Sequence, residues 1–88
     1  MKVEFRKSFV RDIKSISDKS ILKKLKVTIE TAEKVPTLND LPNCKKLKGE
    51  DDYFRLKIGD HRLGFALDGD AVIFVRFLHR KDIYKFFP

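Results

Sequence analysis

Midway along this chain the hydrophobic period changes from helical to alternating, and that change restricts the fold more than any other feature. From Phe9 to Val35 the apolar residues recur at helical spacing. Beyond "VPTLNDLPN", where Pro36, Asn39, Asp40, Pro42 and Asn43 crowd together, they alternate with polar ones. Helices gathered before the break and strands after it argue for an α+β domain, in which a helix hairpin covers one face of a mainly antiparallel sheet. At 88 residues the chain is expected to be one domain, residues 1–88.

Residues 2–6, "KVEFR", alternate and predict a short opening strand. Ser8 offers a cap to a helix that carries Phe9, Ile13 and Ile16 on one face and turns Arg11, Asp12 and Lys14 to water. Ser17-Asp18 interrupts it and supplies a second N-cap. Ile21, Leu22, Leu25, Ile29 and Ala32 then repeat at helical spacing until Pro36 stops the helix. In the second half "KKLK" (45–48) is a weak strand, "GEDD" (49–52) a turn and "YFRLKI" (53–58) a firm strand. "HRLGFALD" (61–68) and "AVIFVRFL" (71–78) are two more, and the chain ends in a short, partly aromatic element that predicts one helical turn and a tail.

A two-residue Gly59-Asp60 loop opposes Ile58 to His61, Lys57 to Arg62, Leu56 to Leu63, Arg55 to Gly64 and Phe54 to Phe65. Opposed residues share a face. Phe54, Leu56, Ile58, Leu63, Phe65 and Leu67 therefore face the helices, while Tyr53, Arg55, Lys57 and Arg62 gather on the other side beside Gly64 and Ala66. Lys57 against Arg62 is repulsive unless an anion lies between them, and the small neighbours leave room for one. For the last strand a three-residue loop is the preferred register. It sends Ile73, Val75 and Phe77 to the core and sets Phe74, Arg76, Leu78 and Arg80 on the cationic face.

Twenty Lys+Arg against 13 Asp+Glu give a net charge of +7, which favours a polyanionic partner: nucleic acid first, an acidic protein second. No apolar run is long enough to span a membrane, the N-terminus lacks the apolar stretch of a signal peptide, and Cys44 is the only cysteine. These features lead us to expect a cytoplasmic protein. Two histidines and one cysteine make no convincing zinc site, and Asp51-Asp52 in a turn is more simply solvated, so no metal or other cofactor is expected.

The stretch "KKLKGEDDYFRLKIGDHRLGFALDGDAVIFVRFLHRKDIYKFF" resembles the C-terminal half of toxins of the RelE/ParE superfamily, and the opening strand and helix hairpin extend the likeness to nearly the whole chain. The resemblance implies a type II toxin held inactive by an acidic antitoxin protein in a hetero-oligomer, and monomeric when alone. On the RelE-like branch it implies a ribosome-dependent mRNA endoribonuclease. Arg55 and Lys57 then fall where that branch has a Lys-x-Lys pair, Arg62 matches the arginine after the hairpin, Arg80 the arginine near the sheet's end, and Tyr84 the C-terminal tyrosine. The chain departs from the pattern with Arg55 in place of lysine and Leu78 where glycine is common.

A ribonuclease of this kind uses the RNA 2′-OH as nucleophile and needs a base, a clamp for the phosphorane and an acid for the 5′-oxygen. Arginines suit the clamp, hence Arg55, Arg62 and Arg80. Lys57, among like charges that lower a lysine's proton affinity, is the candidate base. Tyr84 or His79 is the candidate donor, with base stacking a second role for Tyr84; His79 is equally readable as a structural hydrogen-bonder. His61, on the apolar side, reads as structural, and Phe86 and Phe87 as packing or antitoxin contacts. Tyr53, Lys81 and the helix stripe Lys19, Lys23, Lys24 and Lys26 are candidate contacts to RNA and ribosomal 16S rRNA, against a plain solvated surface. The competing readings are a ParE-like toxin that inhibits DNA gyrase without hydrolysis, and a module that only binds its antitoxin.

Overall fold

The computed structural model describes residues 1–47, 49 and 52–88, with Asn39 described by its backbone. Strand β1 (Lys2–Phe5), helix α1 (Lys7–Lys14) and helix α2 (Lys19–Lys34) open the chain. A 3-10 turn at Leu38–Asp40 leads to β2 (Cys44–Lys46), β3 (Tyr53–Ile58), β4 (His61–Asp68) and β5 (Ala71–His79), and α3 (Ile83–Phe86) ends it. The five strands lie in the order β1-β5-β4-β3-β2, with β1 parallel to β5 and every other pair antiparallel. Among the described residues no helix is long and apolar enough to cross a membrane.

Local chemistry explains the boundaries. The Asp18 carboxylate accepts the Ser20 and Ile21 N–H groups at 2.9 and 3.3 Å and so starts α2, which ends at Val35 before Pro36. Gly59 and Gly69 take φ of 57° and 59°, as the first residues of two-residue hairpin loops require. The resulting β3–β4 register is the expected one, residue for residue. Leu56, Ile58, Leu63 and Phe65 meet Phe9, Ile21, Leu25, Ala32 and Leu41 of the helical layer, and Val72, Phe74 and Phe77 of β5 complete this core.

Four expectations are corrected. Ser8 does not cap α1; Arg6 holds that position, and the Ser8 hydroxyl donates to the Val75 carbonyl at 2.6 Å instead. The strand expected at 45–48 is β2, and Lys48, together with Glu50 and Asp51 of the expected turn, lies outside the described residues. The loop before β5 has two residues rather than three, since Asp68 pairs with Ala71. A bulge then inserts Val75 between the Phe65–Phe74 and Gly64–Arg76 pairs. Ile73 thus joins the outer face, while Phe74 and Phe77 both reach the core and Arg76 and Leu78 still reach the outer face.

The fourth correction concerns Asp12, expected in water but only 8% exposed. β1 accompanies β5 only as far as Phe74, so the second half of β5 is a bare edge with unpaired backbone groups. Helix α1 covers it. Asp12 Oδ2 accepts the Phe77 N–H at 2.9 Å, and the two carboxylate oxygens take the Arg76 Nε–H and Nη2–H at 2.8 and 2.9 Å. This fork holds Arg76 still more firmly protonated. Asp12→Ala strands a guanidinium and a buried N–H together. Urea denaturation should report a loss of about 3 kcal/mol, and Asp12→Asn, which keeps one oxygen acceptor, a smaller one.

His61 lies on the apolar side of the hairpin, where the sequence placed it. It stacks on Phe77 with ring centroids 5.1 Å apart, and its Nδ1 is buried with no hydrogen-bond partner among the described residues. Burial chiefly, and then the neighbouring His79, hold its proton affinity below that of a free imidazole, against the opposing pull of Asp60 and Asp18. The unfolded chain therefore binds this proton more tightly than the folded one. Stability from this group is complete above the free imidazole's pKa of about 6.5 and is lost as pH falls from there toward the lowered folded value. His61→Phe keeps the stack and removes the proton site. Its urea midpoint should drop less than the parent's between pH of about 7.5 and about 5.5.

Candidate active site

On the outer face of the sheet, the antiparallel pairing aligns side chains from successive strands into two transverse rows. The first runs Lys45 (β2), Arg55 (β3), Gly64 (β4) and Arg76 (β5); the second runs Lys57 (β3), Arg62 (β4) and Leu78 (β5). Neighbours in such rows stand about 5 Å apart at Cα, so several cations share a small area. Among the described residues the ion pairs are Arg76–Asp12 and Lys46–Asp52, which leaves Arg55, Lys57, Arg62 and Arg80 with no acidic partner there.

The two rows differ in what covers them. Helix α3 roofs the first. The Arg55 guanidinium carbon lies 4.5 Å from the centroid of the Tyr84 ring, and that of Arg76 lies 5.5 Å from the Phe86 ring. Between those two arginines, the ring of Phe87 rests on Gly64. The room beside Gly64 that the sequence offered to an anion is therefore filled by an aromatic side chain. Tyr53, a candidate RNA contact, is half-buried and meets Phe87 edge-on at 5.7 Å.

The second row lies open. Lys57 is exposed. Arg62 is half-buried and folds back on the hairpin tip, its Nη1 donating to the Gly59 and His61 carbonyls at 3.0 and 2.9 Å. Arg80 is exposed at the same tip, where its backbone N–H donates to the Asp60 carbonyl at 2.8 Å. Lys57 also borders a groove toward α2, lined by Lys23, Lys24, Val27, Thr28, Asn43, Ile58 and Gly59. Lys19, Lys26 and Lys81 are exposed but do not line it.

The structure thus brings Arg55, Lys57, Arg62 and Tyr84 onto one face and sets Arg80 at its end. His79 goes elsewhere. It pairs with His61 and so shares that residue's helix-facing side, and its Nδ1 accepts the Lys81 N–H at 3.1 Å. Two cations of the rows were not among the sequence candidates. Lys45 emerges from the β2–β3 register, which no turn motif in the sequence specifies. Arg76 was placed on this face but given no role; its fork with Asp12 needs the tertiary fold to be seen. Among the described residues no three His, Cys, Asp or Glu side chains gather as metal ligands do.

Comparison with known proteins agrees with this geometry. Residues 3–84 match the family model described as the ParE toxin of type II toxin-antitoxin systems, parDE. The chain is 45% identical to toxin RelE3 of Methanocaldococcus jannaschii over the full length of both. It superposes on a chain of the RelB-RelE antitoxin-toxin complex from Methanococcus jannaschii with a TM-score of 0.82 at 40% identity, covering 97% of this chain and 99% of that one. A chain of the archaeal RelE-RelB complex from Pyrococcus horikoshii shares the fold, with a TM-score of 0.72 at 18% identity over 90% of this chain and 93% of that one. With its β1-α1-α2-β2-β3-β4-β5-α3 order and its cationic outer face, the chain belongs to the RelE/ParE superfamily of toxins of type II toxin-antitoxin systems.

Proposed function

We propose that this toxin is a ribosome-dependent endoribonuclease that cuts mRNA in the A site, using the RNA's own 2′-OH without a metal ion. The observation that carries the reading is the open Lys57–Arg62 row, two cations opposed across a ladder with no acidic partner among the described residues. Such a pair relaxes when a phosphate lies between its members. Relatives named RelE, at 45% and 40% identity, favour this branch of the superfamily.

In the proposed reaction Lys57 takes the 2′-OH proton, and the 2′-oxygen attacks the adjacent phosphorus. The P–O5′ bond breaks, leaving a 2′,3′-cyclic phosphate and a 5′-OH. Guanidinium groups are too basic to shuttle protons, so Arg62 and Arg80 neutralise the phosphorane, with Arg55 behind them. Tyr84 lies over Arg55 with its ring largely exposed, where it can protonate the leaving 5′-oxygen or stack on a base. His79 is the weaker donor candidate, because it faces the helices and its Nδ1 is engaged. Lys23 and Lys24, across the groove from Lys57, suit phosphates of the message or of 16S rRNA, with Lys19, Lys26 and Lys81 as outlying contacts. The partner that restrains the toxin in the cytoplasm is an antitoxin, acidic to match the toxin's net charge of +7; the relative crystallised in a RelB-RelE antitoxin-toxin complex supports an antitoxin partner.

A defined translation system tests the reading. The purified protein should cut ribosome-bound mRNA and leave free RNA nearly intact. Lys57→Ala should lower the cleavage rate by about 10²–10⁴-fold, and Arg62→Ala or Arg80→Ala by about 10²-fold, with antitoxin binding retained. The matching family model carries the ParE name, which gives the gyrase reading a specific claim. Intact message together with blocked gyrase supercoiling would select that reading.

A further inference from the structure

The last residues of the chain are held more tightly than the proposed chemistry alone demands. Phe87, next to the end, is 6% exposed. Its ring lies so close to Gly64 that a Cβ built there would stand 2.7 Å from two ring carbons and 2.9 Å from a third. Tyr53 supports the ring edge-on, and the Phe87 N–H donates to the Ile83 carbonyl at 2.9 Å. Ile83, at the other end of α3, is 1% exposed. Between these two anchors Tyr84 and Phe86 are 68% and 57% exposed.

A four-residue helix has no stability of its own, because its nucleus costs more than so few hydrogen bonds return. The place of Tyr84 over Arg55 therefore depends on what holds the ends of α3. Any side chain at position 64 would occupy the seat of the Phe87 ring, so glycine is required there by a close approach rather than by backbone conformation. We propose that Phe87 and Gly64 form an anchor that positions Tyr84: the ring seated on the glycine fixes α3 across the sheet and sets the tyrosine hydroxyl relative to the Lys57–Arg62 row. Phe87 and Gly64 are positioning residues and touch no substrate. The inference rests on the ribonuclease reading for its kinetic consequence, while its structural half stands apart from it.

The test uses the full chain with Phe87→Ala, Gly64→Ala and the conservative Phe87→Leu. NMR measures Tyr84–Arg55 contacts and the ring-current shift of the residue 64 Hα; ribosome cleavage measures kcat and KM. Phe87→Ala should lose both NMR signatures and Gly64→Ala the Tyr84–Arg55 contacts, with the Phe9, Phe65 and Phe77 core signals unchanged. kcat should fall roughly 10- to 100-fold, as for a misplaced catalytic group, with KM within about twofold. Phe87→Leu, which keeps an apolar anchor, should retain the contacts and stay within about threefold of the parent kcat. Should Gly64→Ala fail to fold, the two Phe87 variants decide. Tyr84–Arg55 contacts that survive Phe87→Ala overturn the anchor, and their loss with kcat unchanged overturns its role in positioning Tyr84 for catalysis. A parent protein that cuts no mRNA would refute the ribonuclease reading, and the NMR contacts would then decide the anchor by themselves.

Discussion

The three hydrogen bonds accepted by the Asp12 carboxylate organise much of what surrounds them. β5 is the strand on which both layers and the site depend, and its second half has no neighbour on one side, because the chain leaves β1 after Phe5 to form α1. A bare edge beside a bulge carries unpaired backbone groups and invites the wrong partner. The carboxylate answers the Phe77 N–H and fixes the Arg76 guanidinium on the opposite side of the sheet from the core. Ser8 answers the carbonyl of the bulged Val75 itself. One turn of α1 therefore holds the irregular segment that lets Phe74 and Phe77 both point inward. Without the bulge, strict alternation would put one of these two phenylalanines on the outer face.

Much of this was legible in the sequence, and the reason differs from element to element. The β3–β4 register followed from the Gly59-Asp60 loop and from apolar alternation on both sides, two signals that agree. The helix boundaries at Asp18 and Pro36 followed from local hydrogen-bonding and steric rules. The bulge at Val75 was hidden because an extra residue in an almost wholly apolar strand leaves no break in the pattern. Asp12 was hidden for a related reason: in the sequence it directly follows Arg11 and reads as one more solvated charge, and only the edge of β5 gives it a partner. The preferred three-residue loop was wrong about the turn, yet it assigned Arg76, Leu78 and Phe77 to the correct faces because the missing residue appears farther along as the bulge.

The site divides in the same way. Arg55, Lys57 and Arg62 share a face for reasons of ladder geometry that a sequence displays directly. The roof over Arg55 and Arg76 is a tertiary feature, since the docking of Phe87 requires the flat floor that Gly64 supplies. The sequence showed the small residue and suggested space for an anion, whereas an apolar ring beside two guanidinium groups fills that space. His79 shows the limit of proximity in sequence: it precedes Arg80 directly, yet alternation turns it to the helix side with His61.

These arrangements give the outer face two unequal parts, and the inequality has a consequence for chemistry. Arg55 and Arg76 already have aromatic rings over them, and Arg76 has a carboxylate as well, so a phosphate gains less by approaching them. Among the described residues Lys57 has no acidic partner, and Arg62 donates to two hairpin carbonyls that water or a phosphate oxygen can replace. The electrostatic reward for binding an anion is therefore greatest at the hairpin tip, where Arg80 also emerges and where the groove toward Lys23 and Lys24 begins. In the proposed reaction this asymmetry orients the RNA. The scissile phosphate settles on the open row, the backbone continues toward α2, and the neighbouring base meets the exposed ring of Tyr84. The roofed row then serves to hold that ring in place, with Arg55 and Arg76 set under aromatic faces behind the open row.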